Sequence, residues 1–399
     1  MSFLLIPAFW MSFFLLVYSY FIYPLLLKWL AKNKAVNAVV YDKEADLPFV
    51  SVLMSIYNEE AVIREKLESL LKLDYPEGKI IIYAGSDCSS DNSNEILREY
   101  SKKYPRISFF PFEQRNGKPG VINRLALEAE KMRPAGSNHI FLITDANVIL
   151  TPNALKNLTR HYKHEKIVIV DANMVHVGMM DEGISKSENY YISSEVALKN
   201  REARMWGMIA GPFGGCYALR SDWFCEVPSN FLVDDFYIGM RVLEKGGLII
   251  NDLEAVCYEA VSHELKEEFR RKARISAGNF QNLVTFPHLW WPPVKLPAFI
   301  LFSHKILRWF GPFFMLIMIF VSGALAWAGF YLYQLIFLAL VLGIFSVLSL
   351  DKILNKIGLN IFLLRSIRYF LMMNVALFMG FINFLKGIKH NAWEPPKRN

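Results

Sequence analysis

Four clusters of acidic and polar side chains follow stretches of sequence that predict strands. They are Asn58-Glu59-Glu60, Ser86-Asp87-Cys88-Ser89-Ser90-Asp91, Thr144-Asp145-Ala146-Asn147 and Val233-Asp234-Asp235-Phe236. Oxygen donors of this kind suit a hard cation such as Mg²⁺ or Mn²⁺, which usually keeps phosphate oxygens in its shell. A carboxylate at a strand end can also accept hydrogen bonds from a nucleoside. The clusters therefore predict chemistry on a phosphorylated ligand at one edge of a sheet.

Each cluster by itself has a simpler explanation, because Asp, Asn and Ser commonly form turns and cap helices after a strand. Asn58-Glu59-Glu60, for example, has the form of a helix start. A basic segment, Arg115-Asn116-Gly117-Lys118-Pro119, lies between the second and third clusters. Its glycine lets the backbone approach a ligand, and Lys118 offers a point charge for phosphate. The ordered set therefore favours a ligand site.

Alternating strands and helices position these clusters. Phe49–Ile56, Lys79–Ala84 and His139–Thr144 are apolar and predict strands, as does a stretch near Ile107–Phe110, whereas Lys118–Lys131 predicts a helix. Strand, helix and strand in repetition predict an α/β fold with a mostly parallel central sheet. Ligands of such sheets bind at the carboxyl ends of the strands, where the clusters lie.

The composition indicates a protein with a globular domain and membrane segments. Of its 399 residues 53% are hydrophobic and 20% charged, which excludes disordered and collagen-like chains. The four cysteines lack CxxC spacing, so a zinc or redox motif is not expected. Residues 1–27 and 309–350 carry no charge, and about 20 apolar residues suffice for a helix to cross a bilayer.

These features divide the chain into five parts. We predict an N-terminal transmembrane anchor at 1–30, a cytosolic domain at 46–282, an interfacial segment at 283–308, two to three transmembrane helices within 309–387, and a basic tail at 388–399. The lysines that follow the first apolar stretch place the domain in the cytosol by the positive-inside rule. Basic residues cluster beside the membrane segments, so nucleic-acid binding is not expected.

The order and spacing of the motifs resemble the family 2 glycosyltransferases of the GT-A type. More narrowly, they resemble the membrane-bound bacterial branch with cellulose-synthase-like and poly-N-acetylglucosamine-synthase-like enzymes. The resemblance covers Val50 to about Gln281, over half of the chain, and includes the plan of the anchors. It implies a GT-A domain with transmembrane helices at both ends, a multi-pass location in the inner membrane, a UDP-sugar donor, and Mg²⁺ or Mn²⁺ as cofactor.

The resemblance also implies roles for individual residues. Asp235 matches the catalytic base, and Asp145 with Asn147 matches the DxD motif that binds metal and diphosphate. The residues implied to bind the nucleotide-sugar are Glu59, Asp87, Lys118, Asn123, Asp145 and Asn147. Those implied to contact the diphosphate or the acceptor are Glu259, Arg271 and Arg274.

Two positions depart from the family pattern. Asn147 replaces the second acid of the DxD motif with a neutral ligand. In the QxxRW motif of processive synthases the Gln is Arg271, the Trp is Ile275, and only Arg274 is retained. The missing Trp argues against chain polymerisation. Arg271, Lys272 and Arg274 are predicted either to hold the leaving diphosphate or to form a basic helix on anionic lipid.

We therefore expect a membrane-bound, inverting glycosyltransferase that acts on a lipid-linked or glycan acceptor in cell-surface polysaccharide synthesis. One base and no nucleophile predict a single displacement. Two alternatives stay open, namely a processive synthase that extrudes its product and a non-catalytic nucleotide-sugar-binding partner of a synthase complex. Asn147 favours the non-catalytic partner, whereas Asp145 with Asp235 disfavours it.

Overall fold

The computed structural model describes residues 2–134, 136–177, 185–260, 265–357, 359 and 361–388. The predicted basic tail therefore lies, apart from its first residue, outside the described residues. Within them a single sheet contains β1 Phe49–Ile56, β2 Ile80–Asp87, β3 Ile107–Phe112, β4 His139–Thr144, β5 Val148–Leu150, β6 Ile167–Val177, β7 Cys216–Arg220 and β8 Leu248–Ala260.

The sheet is mixed, with the strand order β3-β2-β1-β4-β7-β6-β8-β5. Strands β1 to β4 pair in parallel with one another, and so do β6 and β8. The pairings of β7 with β4 and β6, and of β5 with β8, are antiparallel. The predicted α/β fold with a mostly parallel sheet is confirmed. The carboxyl ends of β1, β2 and β4 share one edge, which brings the first three polar clusters together.

The helices of this domain are α3 Ile63–Leu71, α4 Ser93–Lys103, α5 Gly117–Lys131, α6 Ala154–Thr159, α7 Ser185–Trp206, α8 Asp234–Glu244 and α9 Leu265–Thr285. Helix α5 packs closely on β2, because Gly85 has no side chain there. A Cβ at Gly85 would lie 2.6 Å from Val121 Cγ1. This close approach fixes the start of α5, which carries Lys118, at the edge of the sheet.

The helix predicted to start at Asn58 starts at Ile63 instead. Asn58 has a φ of +52°, outside the helical region. The next two backbone N–H groups donate to side chains of the second cluster, from Glu59 to Ser93 Oγ and from Glu60 to Asp91 Oδ2. The first two clusters therefore bind each other before α3 begins.

The remaining helices are α1 Ser2–Val17, α2 Tyr23–Leu30, α10 Leu296–Leu301, α11 Leu307–Trp309, α12 Gly311–Trp327, α13 Tyr331–Lys356 and α14 Phe362–Leu385. Among the described residues three stretches are long and apolar enough to cross a membrane: Phe3–Leu30, Tyr331–Leu354 and Phe362–Leu385. Leu296–Trp309 and Gly311–Trp327 meet the same criterion only together, with a bend of 57° between them. By length and composition this is a membrane protein.

The uncharged stretch 309–350 is divided between two long helices, since α12 ends at Trp327 and α13 starts at Tyr331. The last apolar stretch forms a 24-residue helix, Phe362–Leu385, which is long enough to cross a membrane. The predicted boundary between residues 308 and 309 falls inside the bent pair formed by α10 to α12.

A buried polar cluster ties α7 to the membrane helices. His304 places Nε2 2.8 Å from Glu195 and Nδ1 2.8 Å from Glu202. Tyr23 Oη, on α2, donates to Glu202 at 2.9 Å. Burial alone would raise the pKa of Glu195, but His304 and its basic neighbours hold that pKa well below the usual range. These contacts between charged groups fix α7, a wall of the site described below, to the membrane region.

Helix α14 lies directly against α9 because Gly380 leaves room for it. A Cβ at Gly380 would lie 2.4 Å from Ser276 Cβ and 2.5 Å from the carbonyl oxygen of Ala273. Ser276 Oγ donates to the Leu377 carbonyl at 2.8 Å, which joins a side chain of α9 to the backbone of α14. The contact couples a membrane-spanning helix to the helix that carries Arg271 and Arg274.

Gly380→Ala should lower the melting temperature of the detergent-solubilised protein. The added methyl group must push α9 and α14 apart, and overpacking of this kind costs about 1–3 kcal/mol of unfolding free energy. The matched control is Gly343→Ala in α13, where a Cβ meets nothing within 4 Å. An equal melting temperature for both variants would contradict this close packing.

Candidate active site

A cavity of about 2310 Å³ opens at the carboxyl edge of the sheet and continues to the membrane helices. Nine of the ten predicted site residues line it: Glu59, Asp87, Lys118, Asp145, Asn147, Asp235, Glu259, Arg271 and Arg274. They come from seven different elements or the loops beside them, spread over more than 200 positions of sequence. The fold therefore brings into one space the residues that the motif pattern singled out.

Asn123 is the exception. Its side-chain amide donates to the Val227 carbonyl at 2.9 Å and accepts from the Val227 N–H at 3.0 Å. Asn123 does not line the cavity. Both polar atoms of its amide are used by the main chain of Val227, so this residue fixes the loop before α8 rather than reaching a ligand.

Asp87, the last residue of β2, holds the loop that leads into α5. Its carboxylate accepts from the backbone N–H groups of Asn116 at 2.6 Å and Gly117 at 3.0 Å, and from Arg115 Nε at 3.1 Å. The Arg115 guanidinium in turn lies 3.3 Å from the centroid of the Tyr57 ring. Asp87 thus places a cation and an aromatic face at the entrance of the cavity, which suits a nucleoside.

Lys118 lies at the centre of the acidic edge. Its Nζ is 2.6 Å from Asp145 Oδ1, 3.9 Å from Asp234 Oδ2 and 3.3 Å from the Gly214 carbonyl. Burial would lower the pKa of Lys118, but the two carboxylates raise it. Burial raises the pKa of Asp145 and Lys118 opposes this rise. One ammonium group therefore balances the charge of the third and fourth clusters.

The pKa of Asp235 differs from that of an ordinary aspartate. Burial, and then the neighbouring carboxylate of Asp234, raise the pKa of Asp235 to about 7. Its carboxylate lies against Gly214, where a Cβ would lie 2.9 Å from Asp235 Oδ2. Glycine at position 214 therefore makes room for the Asp235 carboxylate. A carboxylate that titrates near neutral pH can accept a proton efficiently at the pH at which it works.

Asn147 meets Glu259 because β5 pairs with β8, where Val148 is opposite Glu259. Asn147 Nδ2 donates to Glu259 Oε1 at 3.2 Å, and His176 Nε2 lies 3.5 Å from Glu259 Oε2. Despite burial, His176, Arg271 and Asn147 lower the pKa of Glu259 to about 2. An aspartate at position 147 would face this ionised carboxylate. The neutral Asn147, which departs from the DxD pattern, therefore avoids repulsion with the Glu259 carboxylate.

The metal-binding capacity of the site is limited to few protein oxygens. Within the described residues no group of three His, Cys, Asp or Glu side chains is arranged to hold a metal ion. Asp145 and Asn147 offer one carboxylate and one amide oxygen. Mg²⁺ commonly binds through one or two carboxylates plus substrate phosphates and water. These residues fit a divalent cation that binds together with a diphosphate.

Arg271 faces the cavity from α9 and is held from behind by two acids. Its Nη2 donates to Glu188 at 2.6 Å and its Nε to Glu268 at 2.7 Å. Burial and Glu268 raise the pKa of Glu188 to about 7. Lys272 and Arg274 also line the cavity, and Arg274 Nη1 donates to the Leu232 carbonyl. Of the two placements left open for these cations, the structure favours the cavity over a lipid surface.

Sequence reasoning missed Glu188 and Glu268. Glu188 precedes Arg271 by 83 positions, and no motif or spacing relates the two residues. Glu268 lies three residues before Arg271 on α9, so helical spacing could have indicated that pair.

The fold and the site together define a nucleotide-sugar transferase domain of the GT-A type. Comparison with known proteins agrees. The family described as "Glycosyl transferase family group 2" matches residues 140–348, just over half of the chain, and "Glycosyl transferase family 2" matches residues 51–227. The chain belongs to the family 2 glycosyltransferases.

Two curated relatives illustrate the range of this family. A beta-monoglucosyldiacylglycerol synthase of Trichormus variabilis is 26% identical over 235 residues, 56% of this chain and 47% of the relative. A poly-beta-1,6-N-acetyl-D-glucosamine synthase of Staphylococcus epidermidis is 23% identical over 312 residues, 76% of this chain and 71% of the relative. The chain spans about half the length of the first of these.

Among solved structures, a mannosyltransferase from Pyrobaculum calidifontis in complex with GDP-Man and Mn²⁺ has a TM-score of 0.69 and 20% identity. The match covers 95% of this chain and 99% of that chain. The fold is therefore shared over the soluble domain and the helices around it.

The raised pKa of Asp235 predicts a stability effect with a defined sign. Below about pH 4 the carboxyl is protonated in both folded and unfolded states, and between pH 4 and 7 only the unfolded state ionises it. Wild-type stability should therefore fall as the pH rises through this range. Asp235→Asn should remove this fall and be more stable at pH 8 by about 2–4 kcal/mol. Melting curves in detergent at pH 5 and pH 8 test this, and a parallel pH dependence of both proteins would refute the raised pKa.

Proposed function

We propose that this protein is an inverting glycosyltransferase that moves a sugar from a nucleotide-sugar, most simply a UDP-sugar, to a lipid-linked or glycan acceptor in cell-surface polysaccharide synthesis. The observation that carries the proposal is the position of Asp235. A partly buried carboxylate with a pKa of about 7 lines the same cavity as the Lys118–Asp145 pair. A base and a cationic diphosphate site are the two parts that this reaction needs.

In the proposed reaction Asp235 accepts the proton of an acceptor hydroxyl as its oxygen attacks the anomeric carbon. The new glycosidic bond forms while the bond from the anomeric carbon to the diphosphate breaks, and the nucleoside diphosphate leaves with the electron pair. Lys118, Arg271 and Arg274 line the cavity and are placed to balance the charge of the leaving group. One displacement by one base inverts the anomeric carbon.

Asp145 and Asn147 would hold Mg²⁺ or Mn²⁺ together with the diphosphate. When bound, the cation adds positive charge against the leaving group. Lys118, whose Nζ lies 2.6 Å from Asp145 Oδ1, would offer its positive charge to a diphosphate bound beside that carboxylate.

The acceptor is proposed to reach Asp235 from the bilayer. The far end of the cavity is lined by apolar side chains of the N-terminal helix and α14, among them Leu16, Phe21, Phe370 and Met373. Phe21 is 63% exposed, so the apolar lining of the cavity includes accessible surface. An amphiphile can therefore keep its tail among these helices while its hydroxyl group enters the polar part of the cavity. We infer that the catalytic domain faces the cytosol and that the helices cross the inner membrane.

A processive synthase is the second candidate. The likeness to a poly-beta-1,6-N-acetyl-D-glucosamine synthase over 71% of that relative favours it. Ile275, in place of the tryptophan of the QxxRW motif, disfavours it. The length of the product on a sizing gel distinguishes repeated from single transfer, because a single transfer yields one added sugar.

Nucleotide release from the detergent-purified protein tests the proposal. With Mg²⁺ or Mn²⁺ and a membrane-lipid extract as acceptor, we expect release from one of UDP-Glc, UDP-GlcNAc, UDP-Gal, UDP-GlcA, GDP-Man and dTDP-sugars. Asp235→Asn should reduce release by about 10²–10⁴-fold, the usual contribution of a general base. Nucleotide binding should persist in this variant. The kcat/KM of the wild type should rise with pH and reach half its maximum near pH 7, because only the ionised carboxylate accepts a proton.

Tight nucleotide binding without release in any of these reactions would instead support the non-catalytic partner. Undiminished release by Asp235→Asn would remove Asp235 from the mechanism.

A further inference from the structure

A lysine without an acidic partner lies beneath the Asp145 turn, defined as Thr144–Val148. Lys66, on α3, is 0% exposed. Its Nζ donates to Thr144 Oγ1 at 2.8 Å and, through a shorter contact, to the Val148 carbonyl. Within the part of the chain that the structure describes, no carboxylate forms an ion pair with this ammonium group. Lys66 therefore bonds to both ends of the turn that carries Asp145 and Asn147.

The position is an unusual one for lysine. Helix α3 buries Ile63, Leu67 and Leu70 along one face, and Lys66 lies on the same buried face. An ammonium group taken out of water without a counter-charge is among the most costly groups to bury. A methionine would fill the same space without that cost. Packing alone therefore gives no reason for a lysine here.

The contacts of Lys66 supply a reason. The turn has few bonds of its own: Val148 N–H donates to the Asp145 carbonyl at 3.3 Å, and Asp145 N–H to the Gly215 carbonyl at 2.9 Å. Lys66 adds a bond at each end of the turn. These bonds fix the backbone that carries Asp145 and Asn147, whose side chains bond to Lys118 and Glu259. Burial lowers the pKa of Lys66 to about 8, which leaves the ammonium form in excess at neutral pH. The group thus also contributes positive charge directly behind the diphosphate site.

We propose that Lys66 is a positioning residue for the metal–diphosphate site, which it orients from beneath through Thr144 and Val148. It touches neither donor nor acceptor. This inference rests on the proposed function, since it assumes that Asp145 and Asn147 bind a nucleoside diphosphate with a divalent cation. It differs from a purely structural role in what it predicts, because a positioning residue affects metal-dependent binding and leaves folding intact.

Binding of UDP and of GDP by the purified full-length protein, measured calorimetrically with Mn²⁺ and again with EDTA, tests the inference. Lys66→Met should weaken Mn²⁺-dependent binding by about 10–100-fold, the usual effect of losing a group that orients metal ligands. Binding in EDTA should not change, because it depends on the nucleoside contacts near Asp87. The melting temperature should equal or exceed that of the wild type.

Thr144→Val provides a milder variant that keeps Lys66. It should weaken Mn²⁺-dependent binding in the same direction but less, and the double variant should be no weaker than Lys66→Met, because both changes remove the same contact. Ser51→Ala is the matched control. It removes a buried 2.9 Å bond to His139 Nε2 at the opposite end of β1 and β4, and it should lower stability without altering nucleotide binding.

Three results would overturn the inference. Unchanged Mn²⁺-dependent binding in Lys66→Met would show that the turn does not need this lysine. A parallel loss of binding in EDTA and of melting temperature would show that Lys66 serves folding only. Failure of the wild type itself to bind UDP or GDP with Mn²⁺ would refute the proposed function and the inference with it. This outcome differs from the first two because it is seen in the wild type, without any substitution.

Discussion

The structure depends on charge compensation at the acidic edge of the sheet. Asp145, Asp234 and Asp235 converge in a partly buried space, where like charges without a counter-charge oppose ionisation. Lys118 provides the counter-charge, since its ammonium group contacts Asp145 at 2.6 Å and lies 3.9 Å from Asp234. One ammonium group does not balance three carboxylates. Burial and the neighbouring carboxylate of Asp234 therefore raise the pKa of Asp235 to about 7. This shortage of positive charge favours the binding of a cation or a proton at the acidic edge.

Charge compensation also holds the groups farther from the acidic edge. Arg271 is held by Glu188 and Glu268, which fix its guanidinium at the wall of the cavity. Further toward the membrane, His304 lies between Glu195 and Glu202 and joins α7 to the helices on either side. Groups of opposite charge thus follow the cavity from the sheet to the bilayer. Because buried pairs lose more when one partner is removed than exposed pairs do, these contacts hold the walls of the cavity in fixed relation.

Sequence reasoning located the parts of the first half of the domain well. β1 and β4 have the predicted ends, and the polar clusters lie at the carboxyl edge, because strand periodicity and apolar runs are local properties. It failed where one segment contacts another. The start of α3 was placed at Asn58, since the bonds from the following residues to Ser93 and Asp91 were not visible in a single segment. The bonds of Asn123, which was predicted to bind the nucleotide-sugar, to Val227 were likewise not visible, because the two residues lie 104 positions apart.

The sequence by itself determined the order of strands and helices, the apolar stretches that can cross a membrane, and the residue types available for chemistry. Each of these depends on neighbours within one or two turns of chain. The tertiary structure alone decided which of these residues meet. The strand order β3-β2-β1-β4-β7-β6-β8-β5 places β5 beside β8, and so Asn147 beside Glu259. Packing of α3 beneath the sheet turned Lys66, a residue whose type alone predicts exposure, into a buried support of the Asp145 turn. Contacts of this kind form between segments that are far apart in the sequence. A local sequence pattern therefore does not predict them.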